Sequence, residues 1–160
     1  MELIFVCSGN ICRSSMAEGL ARHIWAERFG AAGDLKISSA GIAAWPGDPA
    51  TPEAVFALRA KGIDIDAHRA RQLTAEIADN AGLILVMTKQ HKEHIIKNFP
   101  KSAGKVFLLA EFAGKGEKDV DDPYGGPLKT YQRCAERIEP LVVAALNRIS
   151  NGELRTSNLE

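Results

Sequence analysis

Short, continuous apolar runs alternate along this chain with longer stretches whose apolar residues recur every three or four positions. Leu3-Ile4-Phe5-Val6 reads as a strand buried on both faces, since a half-exposed strand would alternate with polar residues. After a short polar loop, Ser14 or Ser15 is placed to cap a helix running to about Phe29, with Met16, Leu20, Ile24 and Trp25 on its apolar face. Leu35–Ala40 reads as a second strand. Thr51-Pro52-Glu53 opens a second helix with a cap, a proline at the first helical position and an acid in the first turn, and Lys61-Gly62 ends it. Leu83–Met87 reads as the third strand. Thr88 caps a helix through Asn98, stopped before Pro100, and Val106-Phe107-Leu108-Leu109 reads as the fourth strand. A long polar loop over 110–127 then leads into a helix from about Leu128 to Ile149. Loops of that length inside compact domains are usually functional.

Strands alternating with helices predict an α/β fold, a parallel sheet with helices on both faces. In such sheets ligands bind beyond the carboxyl ends of the strands. The loop after the first strand is therefore the first place to look for chemistry. No repeat, low-complexity block or linker divides the chain, so residues 1–150 are expected to form one domain and 151–160 a flexible polar tail.

Composition narrows the function without choosing it. The chain has 160 residues, 46% hydrophobic and 25% charged, as ordinary globular proteins do. Its 20 basic residues cancel its 20 acidic ones, which speaks against a nucleic-acid partner. No apolar run approaches a membrane span, and Met1-Glu2-Leu3 lacks the basic start of a signal peptide. Three cysteines, an odd number, argue for a reducing compartment over a disulfide framework, so a cytoplasmic location is expected. His91 and His94 lie on a polar helix with no thiol or carboxylate pattern to complete a metal site.

The first loop reads Cys7-Ser8-Gly9-Asn10-Ile11-Cys12-Arg13-Ser14. A strand–loop–helix element can turn several backbone N–H groups inward, and a helix N-terminus favours a tetrahedral oxyanion. Gly9 permits backbone angles closed to other residues, Asn10 tolerates the left-handed region, and Arg13 offers a planar fork of donors to two phosphate oxygens. A thiol in that field ionises more readily than a free one, and a thiolate is a strong nucleophile. A cysteine six residues ahead of an arginine would arise by chance in about one such chain in five, so the spacing alone is weak. The setting carries the reading: a buried strand before it, a glycine within, a serine and a helix after. Cys12 reads as a small packing residue in preference to a redox partner of Cys7.

A departing alkoxide or phenoxide needs a proton donor. Asp121-Asp122-Pro123-Tyr124-Gly125-Gly126, in the long loop, holds the best candidates, although two acids before a proline read equally as a solvated turn.

Val6–Ser14 with Met16-Ala17-Glu18, Ser39-Ala40-Gly41, His68-Arg69-Ala70-Arg71 and Asp122-Pro123-Tyr124-Gly125 occur in the order found in the low-molecular-weight protein tyrosine phosphatases. The chain resembles that family from residue 1 to about 149. The resemblance implies a four-stranded parallel sheet and no metal or other cofactor. It implies Cys7 as nucleophile, Arg13 as phosphate clamp, and Asp122 as general acid and then base. It implies Asn10, Ser14 and His68 as supports of the loop, which with Ser8, Gly9, Ile11 and Cys12 surrounds the phosphate. Trp45 and Tyr124 match the aromatic walls of the substrate slot.

Three departures from the family pattern stand out. Ser15 replaces a usual proline. Tyr124 stands alone where tyrosine-specific members often have two aromatics. Gly125-Gly126 follows it, as in a bacterial branch that hydrolyses protein phosphoarginine, and residues 50–91 also resemble that branch. Ile11, however, is the residue expected of tyrosine phosphatases, where arginine phosphatases typically carry threonine. The expected partners are a phosphorylated protein as substrate and inorganic phosphate or similar oxyanions as product or inhibitors. Phosphotyrosine is favoured over phosphoarginine. Arsenate reduction, which would need cysteines beyond Cys7, Cys12 and Cys134, and a non-enzymatic phosphate-binding module are the other readings.

Overall fold

A computed structural model describes residues 1–30 and 34–152, so the expected tail lies outside the described residues from 153 onward. Four strands, β1 (Glu2–Cys7), β2 (Lys36–Gly41), β3 (Leu83–Val86) and β4 (Val106–Leu108), form one parallel sheet in the order β2-β1-β3-β4. This is the sheet the alternating pattern predicts. Side chains alternate across the interior strand β1, so its unbroken apolar run divides between two cores. Leu3, Phe5 and Cys7 join Leu83 and Leu85 under α1 (Arg13–Phe29), α2 (Pro52–Arg59) and α6 (Leu128–Ser150). Ile4 and Val6 join Ile84 and Val86 under α3 (Ala75–Asn80) and α4 (Lys89–Asn98). Each fully buried Leu, Ile, Val or Phe contributes about 1.5–3 kcal/mol, which fixes the strand register.

The sequence runs from β1 out to β2 on one side, then back across to β3 on the other. The connections after β1 and β3 therefore diverge, leaving a crevice at the carboxyl ends of these neighbours. Cys7 closes β1 at that crevice, and Thr88 caps α4 beside it by accepting from the His91 backbone N–H.

Several expectations shift. Neither Ser14 nor Ser15 caps α1: the helix begins at Arg13, Cys12 precedes it without a side-chain cap, and both serines lie buried in the first turn. The Ser15 hydroxyl donates back to the Cys12 carbonyl, while Ser14 is engaged by the loop. Uncapped first-turn N–H groups are what an oxyanion site requires. Leu109 leaves the fourth strand to begin a short helix, α5 (Leu109–Phe112), whose Leu109, Ala110 and Phe112 turn into the core. That apolar cluster is too short to separate strand from helix by periodicity. Helix α3, capped by Thr74, and a 3-10 turn at Pro100–Lys105 give structure to stretches that carry no periodic signal. Among the described residues no helix is long and apolar enough to cross a membrane.

Candidate active site

Cys7 ends β1 and is 2% exposed. Five residues, Ser8 to Cys12, separate it from Arg13, and Asn10 makes that tight path possible. Asn10 adopts φ 60, the left-handed region, and is fully buried. Its amide nitrogen donates to Ser14 Oγ at 2.9 Å and to Ser39 Oγ at 2.8 Å, and its Oδ1 accepts from the Arg71 N–H at 2.9 Å. Three satisfied bonds offset the strain of a non-glycine residue there. Gly9, by contrast, is not left-handed, and a Cβ on it would meet only the Ile11 side chain, at 3.6 Å. The expectation that Gly9 supplies the unusual backbone angle is therefore corrected: Asn10 supplies it. The glycine the loop does require is Gly41, where a Cβ would stand 2.5 Å from the Ser8 carbonyl oxygen.

Ser14 Oγ lies 2.9 Å from Cys7 Sγ. Because that oxygen already accepts from Asn10, its own proton is free to point at the sulfur. His68 Nε2 lies 2.6 Å from the Asn10 carbonyl, which can only accept, so the ring donates and holds the loop from behind. Ser39 passes the network on to Glu18, and the Arg71 guanidinium donates to the carbonyl of Ser39. Sequence reasoning quoted Ser39 and Arg71 within motifs but gave them no task; nothing local in the chain shows that both converge on Asn10.

Arg13 is 4% exposed. One terminal nitrogen donates to the Val120 carbonyl at 2.9 Å, the other lies 3.4 Å from Asp122 Oδ2, and Nε is buried with no partner among the described residues. An unpaired buried guanidinium donor is costly, and an oxyanion would satisfy it. Asp122 reaches Arg13 while remaining half exposed; Asp121 points outward and is 93% exposed at its side chain. Tyr124 N–H donates to Asp122 Oδ1 at 3.1 Å and fixes the carboxylate on its loop.

Cys7, Ser8, Ile11, Arg13 and Asp122 line one cavity of about 280 Å³, with Trp45 and Tyr124 exposed on its rim. Gly9 and Cys12 line it as well. A larger cavity, about 670 Å³, lies behind the loop around Arg22, Lys36 and Arg71. Its arginines are committed already, Arg22 to Glu18 and the Ile37 carbonyl, Arg69 to the Asp66 and His68 carbonyls, Arg71 to Glu2 and Ser38. The smaller cavity brings together Cys7, Arg13 and Asp122, the residues the sequence reading names for chemistry. Among the described residues no cluster of three or more His, Cys, Asp and Glu is placed to hold a metal ion.

Cys12 packs beneath the loop, 3.4 Å from the Tyr131 hydroxyl and 3.7 Å from Thr51 Oγ1, and burial pushes its thiol up. Burial likewise pushes the Cys134 thiol up to about 12. Both are placed as packing residues with poorly ionised thiols.

His91 lies on the polar helix α4 yet is 3% exposed, and its Nε2 lies 2.9 Å from Ser8 Oγ, a contact the sequence reading did not foresee. The signal was present as the third residue after the Thr88 cap, where a side chain can reach back to the cap N–H. Its Nδ1 accepts that bond at 3.1 Å. Burial first, and the Arg13 charge second, lower its pKa from 6.5 to about 4. A group whose pKa is depressed by folding adds stability above its unfolded value and loses it as pH falls through the folded one. Stability should therefore fall between about pH 6.5 and 4, and fall less in His91→Asn, which has no titrating ring. Urea midpoints at about pH 7, 5.5 and 4.5 check this; equal losses in both proteins would show that the ring is not responsible.

The model of the low molecular weight phosphotyrosine protein phosphatase family matches residues 2–153. The chain is 43% identical over 142 residues to a protein-arginine-phosphatase of Bacillus subtilis, covering 89% of this chain and 92% of that one. It is 40% identical over 147 residues to the probable low molecular weight protein-tyrosine-phosphatase EpsP of Ralstonia solanacearum, covering 92% and 94%. Among solved structures, the YwlE arginine phosphatase, as a cysteine-to-serine mutant with a phosphorylated active-site serine, matches with a TM-score of 0.88 and 40% identity over 96% of this chain and 99% of that one. Wzb of Vibrio vulnificus, in complex with benzylphosphonate, matches with a TM-score of 0.80 and 29% identity over 89% and 94%. With its sheet, its cysteine loop and these likenesses in agreement, the chain belongs to the low molecular weight phosphotyrosine protein phosphatase family.

Proposed function

We propose that this protein hydrolyses phosphotyrosine in proteins through a phosphocysteine on Cys7. One observation carries the reading: Cys7, the unpaired Nε of buried Arg13 and the carboxylate of Asp122 share one small cavity at the start of α1. The Cys7 thiolate attacks phosphorus, the bond to the tyrosine oxygen breaks, and Asp122 gives that oxygen its proton. Asp122, now a carboxylate, takes a proton from water as the water attacks phosphocysteine. The P–S bond breaks, phosphate leaves and the thiolate returns. Arg13 and the loop N–H groups hold the equatorial oxygens throughout. The phosphorylated active-site serine of the YwlE mutant supports covalent transfer to the residue in this place. Inorganic phosphate is then the product and a competitive inhibitor. Three unpaired cysteines support a cytoplasmic location.

Phosphoarginine is the second reading, favoured by the likeness to two arginine phosphatases and by the Gly125-Gly126 pair, which puts no second aromatic after Tyr124. Ile11 favours phosphotyrosine: it lines the slot, and a guanidinium buried against its branched chain would leave N–H donors unpaired, at about 1–3 kcal/mol each. Threonine there keeps the shape and adds an acceptor. Ile11→Thr should therefore shift preference toward phosphoarginine peptides by roughly one to two orders of magnitude. Steady-state rates on matched phosphotyrosine and phosphoarginine peptides decide the question. A parent enzyme that prefers phosphoarginine and does not respond to Ile11→Thr would assign specificity to the acid loop instead.

A further inference from the structure

We propose that His91 is a positioning residue that turns the Ser8 hydroxyl proton into the slot, where Ser8 donates a hydrogen bond to a phosphoryl oxygen. The inference rests on the phosphatase reading above and adds two side chains to it.

His91 Nδ1 accepts the Thr88 backbone N–H, so that nitrogen carries no proton. A neutral imidazole must then carry its proton on Nε2, which lies 2.9 Å from Ser8 Oγ. The ring therefore donates to Ser8 and cannot take its proton. Ser8 is no serine nucleophile with a histidine base; it is a hydroxyl whose lone pair is occupied from behind and whose O–H must point elsewhere. The groups around the ring agree with a neutral state. Arg13 opposes a second proton, while Asp119, Asp122 and His94 are the other titratable groups that act on it, and burial outweighs them all.

Ser8 lines the same cavity as Cys7 and Asp122. The side-chain acceptors of Cys7 and Asp122 in that cavity already face donors. Cys7 Sγ has Ser14, one oxygen of Asp122 has the Tyr124 N–H, and the other faces Arg13. An incoming phosphoryl group adds acceptors of its own, with lone pairs on several oxygens. The bond from His91 also crosses the crevice between β1 and β3. Helix α4 reaches the acid loop as well, because the Lys89 N–H donates to Asp119 Oδ1 at 2.9 Å. One helix N-terminus thus sets the position of both walls.

Orthovanadate binding, read by tryptophan fluorescence, and kcat/KM on a phosphopeptide test the proposal. Ser8→Ala should weaken vanadate and lower kcat/KM by about 10- to 100-fold, the worth of one bond to a charged group. His91→Asn keeps an acceptor for the Thr88 N–H but cannot reach Ser8, so it should lose as much, and the double variant no more. His91→Gln sets an amide nitrogen near the place of Nε2 and should recover most of the loss. A purely helix-capping role gives the reverse order, with asparagine near the parent and glutamine impaired, and would overturn the proposal. So would unchanged vanadate binding in Ser8→Ala, which decides the matter alone if the His91 variants do not fold. Vanadate binding is independent of the phosphorylated residue; absence of turnover by the parent on any phosphopeptide would count against the phosphatase reading instead.

Discussion

Cys7→Ser is expected to abolish turnover while leaving phosphate or vanadate binding partly intact. The two outcomes separate because they depend on different atoms. Binding rests on Arg13, whose Nε is unpaired, and on the uncapped first turn of α1, none of which the substitution touches. Turnover requires a nucleophile that is anionic near neutrality and a good leaving group from phosphorus, and a serine hydroxyl is neither. The replacement is also small: oxygen for sulfur beside Ser14 Oγ, with the Asn10 network unchanged. Stability should therefore stay close to that of the parent. Steady-state rates with vanadate titrations measure both halves. Turnover above about a percent of the parent rate would overturn the assignment of the nucleophile, given the gap between a hydroxyl and a thiolate.

Asp122→Asn should lower the rate by roughly 10²–10⁴, the worth of a positioned general acid, with Asp121→Asn far milder. The two carboxylates are adjacent in sequence and opposite in placement. Asp122 lies 3.4 Å from Arg13 and is held by the Tyr124 N–H, whereas Asp121 projects into solvent with only Arg137, at 4.0 Å, nearby. An exposed pair at that distance is worth little. Asparagine keeps the shape of the aspartate and its bond to Tyr124 but has no proton to give. The loss should shrink for substrates with acidic leaving groups, such as aryl phosphates bearing a nitro substituent, which depart without protonation. A leaving-group series on both variants tests this, and greater damage from Asp121→Asn would place the acid one residue earlier.

The sheet, its parallel sense and the loop that carries Cys7 were legible along the chain because each rests on short-range rules. A run of four apolar residues can be buried on both faces only in an interior strand, as Leu3–Val6 is. Thr51 and Thr88 cap the helices their neighbours predict, by side-chain bonds three residues long. The order of motifs named the family. Ser14 misled for an equally physical reason: a serine before a helical pattern reads as a cap, yet here Asn10 and Cys7 compete for its hydroxyl and win. Helix α5 and helix α3 were missed because six residues or fewer cannot establish a period.

The sequence by itself thus determined the architecture and the identity of the residues at the start of α1. Only the tertiary structure decided which atoms of those residues face one another. Asn10, not Gly9, takes the left-handed turn because Ser39 and Arg71, far along the chain, satisfy its side chain. Asp122, not Asp121, meets Arg13 because the acid loop is tied at Val120 to the Arg13 guanidinium and to the end of β3 through the Met87 carbonyl. His91, which lies 83 positions from Ser8, meets it because β1 and β3 are neighbours in the sheet. Local sequence sets backbone propensity through forces that act over a few residues. The pairing of distant polar groups is fixed by which buried donors and acceptors would otherwise go unsatisfied, and that is settled when the chain closes on itself.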